Sequence, residues 1–310
     1  MILAFTMAGI NHVVIPIIFL VWLWRGTEKS KLEWLLYVLL VVFYSIHIVL
    51  SGRWDIFGYP LRFVLAIALI VTVGRSLVKA RLLPLYPPRK LSSYSSLGLS
   101  SLIALLFLGI LITYIPNGCA FSGESVSLAF PLRNGTYYVG HGGNSPVLNH
   151  HHGDPAQMYA LDIVKLNRFG IRANGLYPSS LTSYAIYEDT LYSPCNGTVT
   201  DMVDRLPDLI PPERDRENLA GNYILVQCQG ADVVLAHLQP GSLAVQSGEN
   251  IQVGQAIARV GNSGNTSEPH LHIHARKANT GTSLLEGEGL PMTFDGRFLV
   301  RNSLVFGEDA

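Results

Sequence analysis

Pro269-His270-Leu271-His272-Ile273-His274 is the stretch on which the reading of this 310-residue chain turns. In an extended run, alternation places three imidazoles on one face and Leu271 and Ile273 on the other. Neutral imidazole is the commonest protein ligand for metals and a proton carrier near neutral pH. Such a face offers a metal ligand and a catalytic base side by side, whereas one isolated His-x-His would be an ordinary polar strand face. The rest of the chain decides between the two.

Eight of the ten histidines lie between positions 141 and 274, and seven fall in three clusters. The first is Asn149-His150-His151-His152, the second is Leu235-Ala236-His237-Leu238, and the third is the stretch quoted above. Between the first two lies Ala160-Leu161-Asp162-Ile163-Val164, an aspartate inside an apolar strand. A carboxylate there is costly unless it is paired, hydrogen-bonded or bound to metal. One Asp and two His from separate segments, with an open fourth position, suit catalytic zinc.

Composition divides the chain. Hydrophobic residues make up 49% and charged residues 14%, with a formal net charge of zero. That balance points toward membrane and away from a nucleic-acid binder, which would be basic. Four apolar runs occupy the first 115 residues: Leu3–Trp24, Leu32–Leu50, Phe57–Val73 and Leu97–Ile115. Each approaches the roughly 20 residues needed to cross a ~30 Å hydrocarbon layer. The third contains Arg62, and the first lacks the basic leader and cleavage site of a signal peptide. Trp22, Trp24, Trp34 and Trp54 stand near run ends, as interfacial aromatics do. Loops one and three carry Arg25, Lys29, Lys31, Arg75, Lys79, Arg81, Arg89 and Lys90, against Arg53 and Arg62 around loop two. Eight basic residues against two place loops one and three in the cytoplasm and both termini outside. His12 and His47, inside apolar runs, form no constellation and are expected to serve packing.

The expected organisation is a transmembrane region over 1–115, a linker over 116–130 and an extracytoplasmic domain over 131–310. In the last, short β-type runs alternate with turn signals: Tyr137–Val139, Tyr159–Val164, Tyr184–Tyr187, Gly197–Met202, Tyr223–Gln227, Val233–His237, Ala256–Val260 and His270–Ala275. This predicts an antiparallel all-β structure without a helix of useful length. The charged, proline-bearing segment Asp201–Asn218 is expected to be a solvated loop. Of Cys119, Cys195 and Cys228, the last two are the expected disulfide pair in an oxidising compartment.

These residues together resemble the lysostaphin-type zinc metallopeptidases, peptidase family twenty-three. The matching pieces are Asn149–His152 with Gln157–Asp162, Gly221-Asn222-Tyr223, Ala236-His237-Leu238, Gly254-Gln255, Gly261–Thr266 and Pro269–His272. They span nearly all of the soluble half and none of the membrane half. The resemblance implies a compact antiparallel β-structure of the duplicated hybrid motif type, with one zinc ion in a groove across the sheet. It implies Asp162 and His272 as zinc ligands and His237 and His270 as catalytic histidines. The remaining ligand departs from the commonest spacing, because position 158 is Met. The long-spaced members favour His151 by an Asn-x-His pattern, with His152 and His150 as alternatives and Asp154 as a rival to Asp162. His274 takes a supporting or solvated role. Gly261, Gly264 and Asn222 are expected at turns. The function implied is endopeptidase hydrolysis of peptidoglycan stem peptides or cross-bridges, or of another peptide, at the outer side of a bacterial cytoplasmic membrane. A non-catalytic cell-wall-binding or regulatory scaffold is the alternative. A transporter or sensor built on the four spans is a third reading, less economical than an anchor.

Overall fold

Leu271–Lys277 folds as a strand because Leu271, Ile273 and Ala275 share one face and fill the interior beneath it, each at most 1% exposed. The computed structural model describes residues 2–88, 91–278 and 283–307. The chain divides into two units, Met1–Trp54 with Pro60–Pro116, and Asp55–Tyr59 with Asn117–Ala310.

Among the described residues of the first unit, four helices are long and apolar enough to cross a membrane: Thr6–Arg25, Lys31–Ser51, Leu61–Ala80 and Tyr94–Gly118. Ser30 starts the second: its Oγ accepts from the Glu33 N–H at 3.1 Å, while Glu33 Oε2 accepts from the Lys29 N–H at 2.7 Å. That reciprocal arrangement satisfies donors left open at a helix start. The third span corrects two expectations. It begins at Leu61 rather than Phe57, because Phe57 closes the short helix Trp54–Phe57 and Gly58 turns the chain at φ 108°. It also runs on to Ala80, so Arg75 and Lys79 lie in the helix and not in the loop. Lys79 Nζ donates to the carbonyls of Trp24 and Arg25, each at 3.0 Å, closing the end of the first span. Arg89 and Lys90 lie outside the described residues. His12 Nδ1–H donates to the Ala8 carbonyl at 2.7 Å, and His47 lies 3.4 Å from Ser51 Oγ, local contacts in keeping with packing.

The main sheet of the second unit runs through β1 (Gly135–His141), β2 (Leu161–Leu166), β3 (Gly197–Val203), β4 (Asn222–Cys228), β5 (Ala231–Leu238), β6 (Asn250–Ile251), β7 (Leu271–Lys277) and β8 (Leu304–Gly307), with the short strand Gly289–Leu290 pairing with β7 off this path. Their order is β8-β1-β2-β7-β5-β4-β3-β6, with every neighbour antiparallel. The β4–β5 hairpin closes through Gln229 and Gly230, at φ 51° and 84°. Positive φ at both positions matches the twist of the flanking strands. Val139, Ile163, Val226, Val233, Leu235 and Ile273 lie in the core beneath. The opposite face of β7 is covered too, since His272, His274 and Arg276 are 4%, 2% and 3% exposed. Cys195 and Cys228 form a disulfide with Cα atoms 6.1 Å apart, and Cys119 is free and exposed.

Three local expectations differ from the structure. Tyr184–Tyr187 is a turn, closed by Tyr187 N–H donating to the Tyr184 carbonyl, with one isolated bridge between Ala173 and Tyr184. Its buried Tyr184 and Ile186 imitate strand alternation while packing from a turn. The segment 116–130 contains the end of the last helix, to Gly118, and a strand, Val126–Leu128, paired in parallel with Met292–Phe294. The Asp201–Asn218 segment is tied down: Asp208 accepts from the Asn262 N–H at 2.6 Å and Asp204 from the Gly241 N–H at 2.7 Å.

Candidate metal centre

The register of β2 against β7 sets Asp162 directly opposite His272. Asp162 Oδ1 lies 3.0 Å from His272 Nδ1. The third member arrives on a 3-10 turn, His150–Gly153, whose first residue follows Asn149. Asn149 is fully buried, accepts from the His151 N–H at 3.1 Å, and donates through Nδ2 to the carbonyls of Gly143, Met158 and Ala160, each at 3.1 Å. This anchor presses the turn against β2 and brings His151 Nε2 to 3.0 and 3.1 Å from the two Asp162 oxygens. His150 Nδ1 stays 3.9 Å from Asp162. His152 joins none of the candidate ligand groups found among the described residues. Asp154 accepts from the Ala156 N–H and from Gln157, so it shapes its own turn.

His237, the penultimate residue of β5, sits at φ 63°, where the pairing of β4 with β5 shifts register. A bulge of this kind re-aims a side chain, and backbone strain collects at working sites. Its Nδ1–H donates to the Ser263 carbonyl at 2.9 Å, leaving Nε2 free of a proton. The Asn262–Gly264 turn that supplies this carbonyl packs backbone to backbone on Gly221: a Cβ on Gly221 would collide with Ser263, and one on Gly264, at φ 87°, with Gly221. Asn222 is not a turn residue but the buried start of β4. Its amide donates to the carbonyls of Leu206 and Leu238 at 2.7 and 3.1 Å, fastening the 201–218 segment to the end of β5.

His270 Nδ1–H donates to the Glu268 carbonyl at 2.8 Å, and its Nε2 lies 3.5 Å from Asp162 Oδ1. His274 is buried, not solvated. One proton pattern satisfies its contacts: His272 Nε2–H donates to His274 Nδ1 at 3.0 Å, and His274 Nε2–H to the Leu284 carbonyl at 3.4 Å. That pattern leaves the His272 Nδ1 lone pair facing Asp162, the tautomer a metal ligand needs.

Electrostatics follow the geometry. Burial pushes the Asp162 carboxyl up, but the imidazoles of His151 and His270 outweigh it and hold the group well below the usual carboxylate range. Burial lowers His237 to about 3 and His274 to about 3. Burial also lowers His272 well below its ordinary range. Burial opposes protonation of His270 too, but the Asp162 carboxylate prevails and raises it.

His151, Asp162 and His272 therefore present two imidazole nitrogens and one carboxylate. Their donor contacts of 3.0 to 3.1 Å are close to the edge of a zinc tetrahedron, roughly 3.3 Å for ~2.05 Å bonds. The set fits zinc. It opens onto a cavity of 380 Å³ that Arg214, Leu219, His237 and Asn265 also line. A 680 Å³ cavity is walled by Arg205, Glu217 and Asn218, so the 201–218 segment forms walls of both. A second grouping, His141 with His150 and Asp162, fits less well, because Arg301 donates to His141 Nδ1 at 2.7 Å and sets a cation beside it. Asn149 and Ser263 work by holding backbone and imidazole in place; Asn149 stands next to the histidine cluster in the sequence, but nothing local marks Ser263, which lies 26 residues from the histidine it orients.

Residues 182–284 match the model of Peptidase family M23, a window that contains His237, His270 and His272 and begins after Asp162. No curated protein matches the sequence. Among solved structures, the M23 metalloprotease pseudoalterin from the deep sea aligns at 15% identity over 59% of this chain and 99% of that one, with a TM-score of 0.35. A zinc-containing peptidase from Vibrio cholerae aligns at 18% identity over 43% of this chain and 50% of that one, TM-score 0.25. The catalytic domain of lysostaphin from Staphylococcus simulans aligns at 19% identity over 37% and 84%, TM-score 0.20. The chain spans 59%, 49%, 54% and 50% of the first four structures it matches.

Proposed function

We propose that this chain, whose residues 182–284 match the model of Peptidase family M23, is a membrane-anchored zinc endopeptidase of that family acting on peptidoglycan stem peptides or cross-bridges. The observation that carries this reading is the convergence of His151, Asp162 and His272 at 3.0 to 3.1 Å beside two further imidazoles. In this reading His151, Asp162 and His272 hold one zinc ion, and His237 and His270 do the proton work. A zinc ion held there supplies Lewis acidity toward water and toward a peptide carbonyl.

The chain's own residues supply the rest. Both catalytic histidines have Nδ1–H committed to a carbonyl, which fixes ring orientation and turns Nε2 to the reaction. One Nε2 takes the proton of the attacking water; the other, protonated, donates to the developing oxyanion and then to the leaving amine. The cavity walls at Arg214, Leu219 and Asn265 bound the space for the peptide. The excess of basic residues in loops one and three supports an outward-facing catalytic unit. So does membership of Asp55–Tyr59, between spans two and three, in the same unit as the C-terminal domain, since alternating spans put those segments on one side.

The test is mass spectrometry of muropeptides incubated with the full chain in detergent, with and without chelator. Cleavage should vanish with chelator. His237→Ala and His270→Ala should each lose on the order of 10²- to 10⁴-fold in rate with zinc content intact. Wild-type protein that holds zinc yet cleaves neither muropeptides nor peptides would favour the scaffold reading.

A further inference from the structure

Arg172 lies outside the proposed metal centre and is 1% exposed. A guanidinium so buried must be matched by charge and hydrogen bonds. On one side it meets Glu268, with Nε 2.8 Å from both carboxylate oxygens and Nη2 2.7 Å from Oε2. On the other stands Asp55, fully buried, with Oδ2 3.9 Å from Arg172 Nε and its carbonyl accepting the Arg172 N–H at 3.0 Å. Asp55 belongs to the segment between the second and third spans. That segment is built into the catalytic unit a second time, through the Tyr59 N–H donating to the Gly170 carbonyl at 2.9 Å and the Tyr59 ring edge-on to Tyr138.

Glu268 leads directly to the chemistry. Its carbonyl is the acceptor that holds His270 Nδ1–H at 2.8 Å, and Thr266 Oγ1–H donates to the same carbonyl at 2.8 Å. We infer that Asp55 is a positioning residue: through Arg172 and Glu268 it sets the carbonyl that fixes the tautomer and aim of His270. The segment between spans two and three is thereby a working part of the catalytic centre and not only a piece of the anchor. This rests on the reading of His270 as a catalytic base or acid.

Asp55→Asn removes one charge while keeping shape and the backbone bond, and Arg172 retains Glu268, so the fold is expected to survive. The experiment uses the full chain in detergent, with muropeptides as substrate, comparing wild type, Asp55→Asn, Glu268→Gln and the double variant. Four quantities are read: kcat, KM, zinc content, and the hydrogen-bonded Nδ1–H resonance of His270, assigned by its disappearance in His270→Ala. Expected for Asp55→Asn is a kcat lower by about tenfold, within the range a sub-ångström misplacement costs, with KM and zinc unchanged and the resonance shifted or lost to exchange. The double variant should be no worse than Glu268→Gln alone, as members of one chain of contacts are non-additive. Wild-type kcat and an unmoved resonance in Asp55→Asn would overturn the inference, as would additive losses. Should wild type cleave neither muropeptides nor peptides, the enzyme reading fails, while the His270 resonance in Asp55→Asn still decides the relay.

Discussion

Asp162 and His272 stand opposite each other on neighbouring antiparallel strands, and the site depends on small residues that keep this pair company. Asn149 makes three buried bonds to carbonyls and one to the His151 N–H. Asn149→Ala leaves those carbonyls unmatched and should cost on the order of 3 kcal/mol, read by denaturant unfolding. It should also weaken zinc binding by about 10- to 100-fold, as loss of an orienting partner does. His274 gives a pH signature. Its pKa is pushed down from 6.5 to about 3 by burial. At pH 5 the unfolded chain protonates this imidazole and the folded chain does not, so acid favours unfolding. The stability His274 permits is complete above pH 6.5 and is lost as pH falls toward 3. In chelator-treated protein, His274→Phe should flatten the fall of stability between those values; an unchanged slope would show that His274 titrates normally in the fold.

At the scale of elements, β7 is read twice, once by the core and once by the site. Its alternation was legible in the sequence because period two is local. Its pairing was not, since register between Asp162 and His272 crosses 110 residues. The same limit applied to Tyr184–Tyr187, where buried side chains mimic a strand but the backbone turns. The disulfide closes a separation of 33 residues and ties the start of β3 to the end of β4. Chain entropy assigns such a loop about 3–4 kcal/mol. Cys228→Ser should lower the unfolding free energy by that order in oxidising buffer and leave zinc content unchanged, because β4 meets the site at its opposite end.

For the whole molecule, the proposed outward orientation is testable at one native thiol. Cys119 is exposed just beyond the fourth helix, while the other two cysteines are paired. A membrane-impermeant maleimide should label Cys119 in intact cells to the same extent as in lysed ones; protection until lysis would reverse the topology. The relay from Asp55 further implies that a fragment beginning at residue 117, lacking Asp55–Tyr59, will unfold at a lower temperature than the same unit in the full chain. Four apolar runs long enough to cross a membrane, a β-rich C-terminal half and the donor types of a candidate metal site were legible in the sequence alone, because hydropathy, period-two alternation and side-chain chemistry are carried by neighbouring residues. Tertiary structure decided that His151, among three adjacent histidines, meets Asp162, that His274 is buried behind His272, and that a segment between two spans reaches Arg172. Each of those depends on which backbone lies beside which, and that is settled only when strands pair and a buried charge must find its partner.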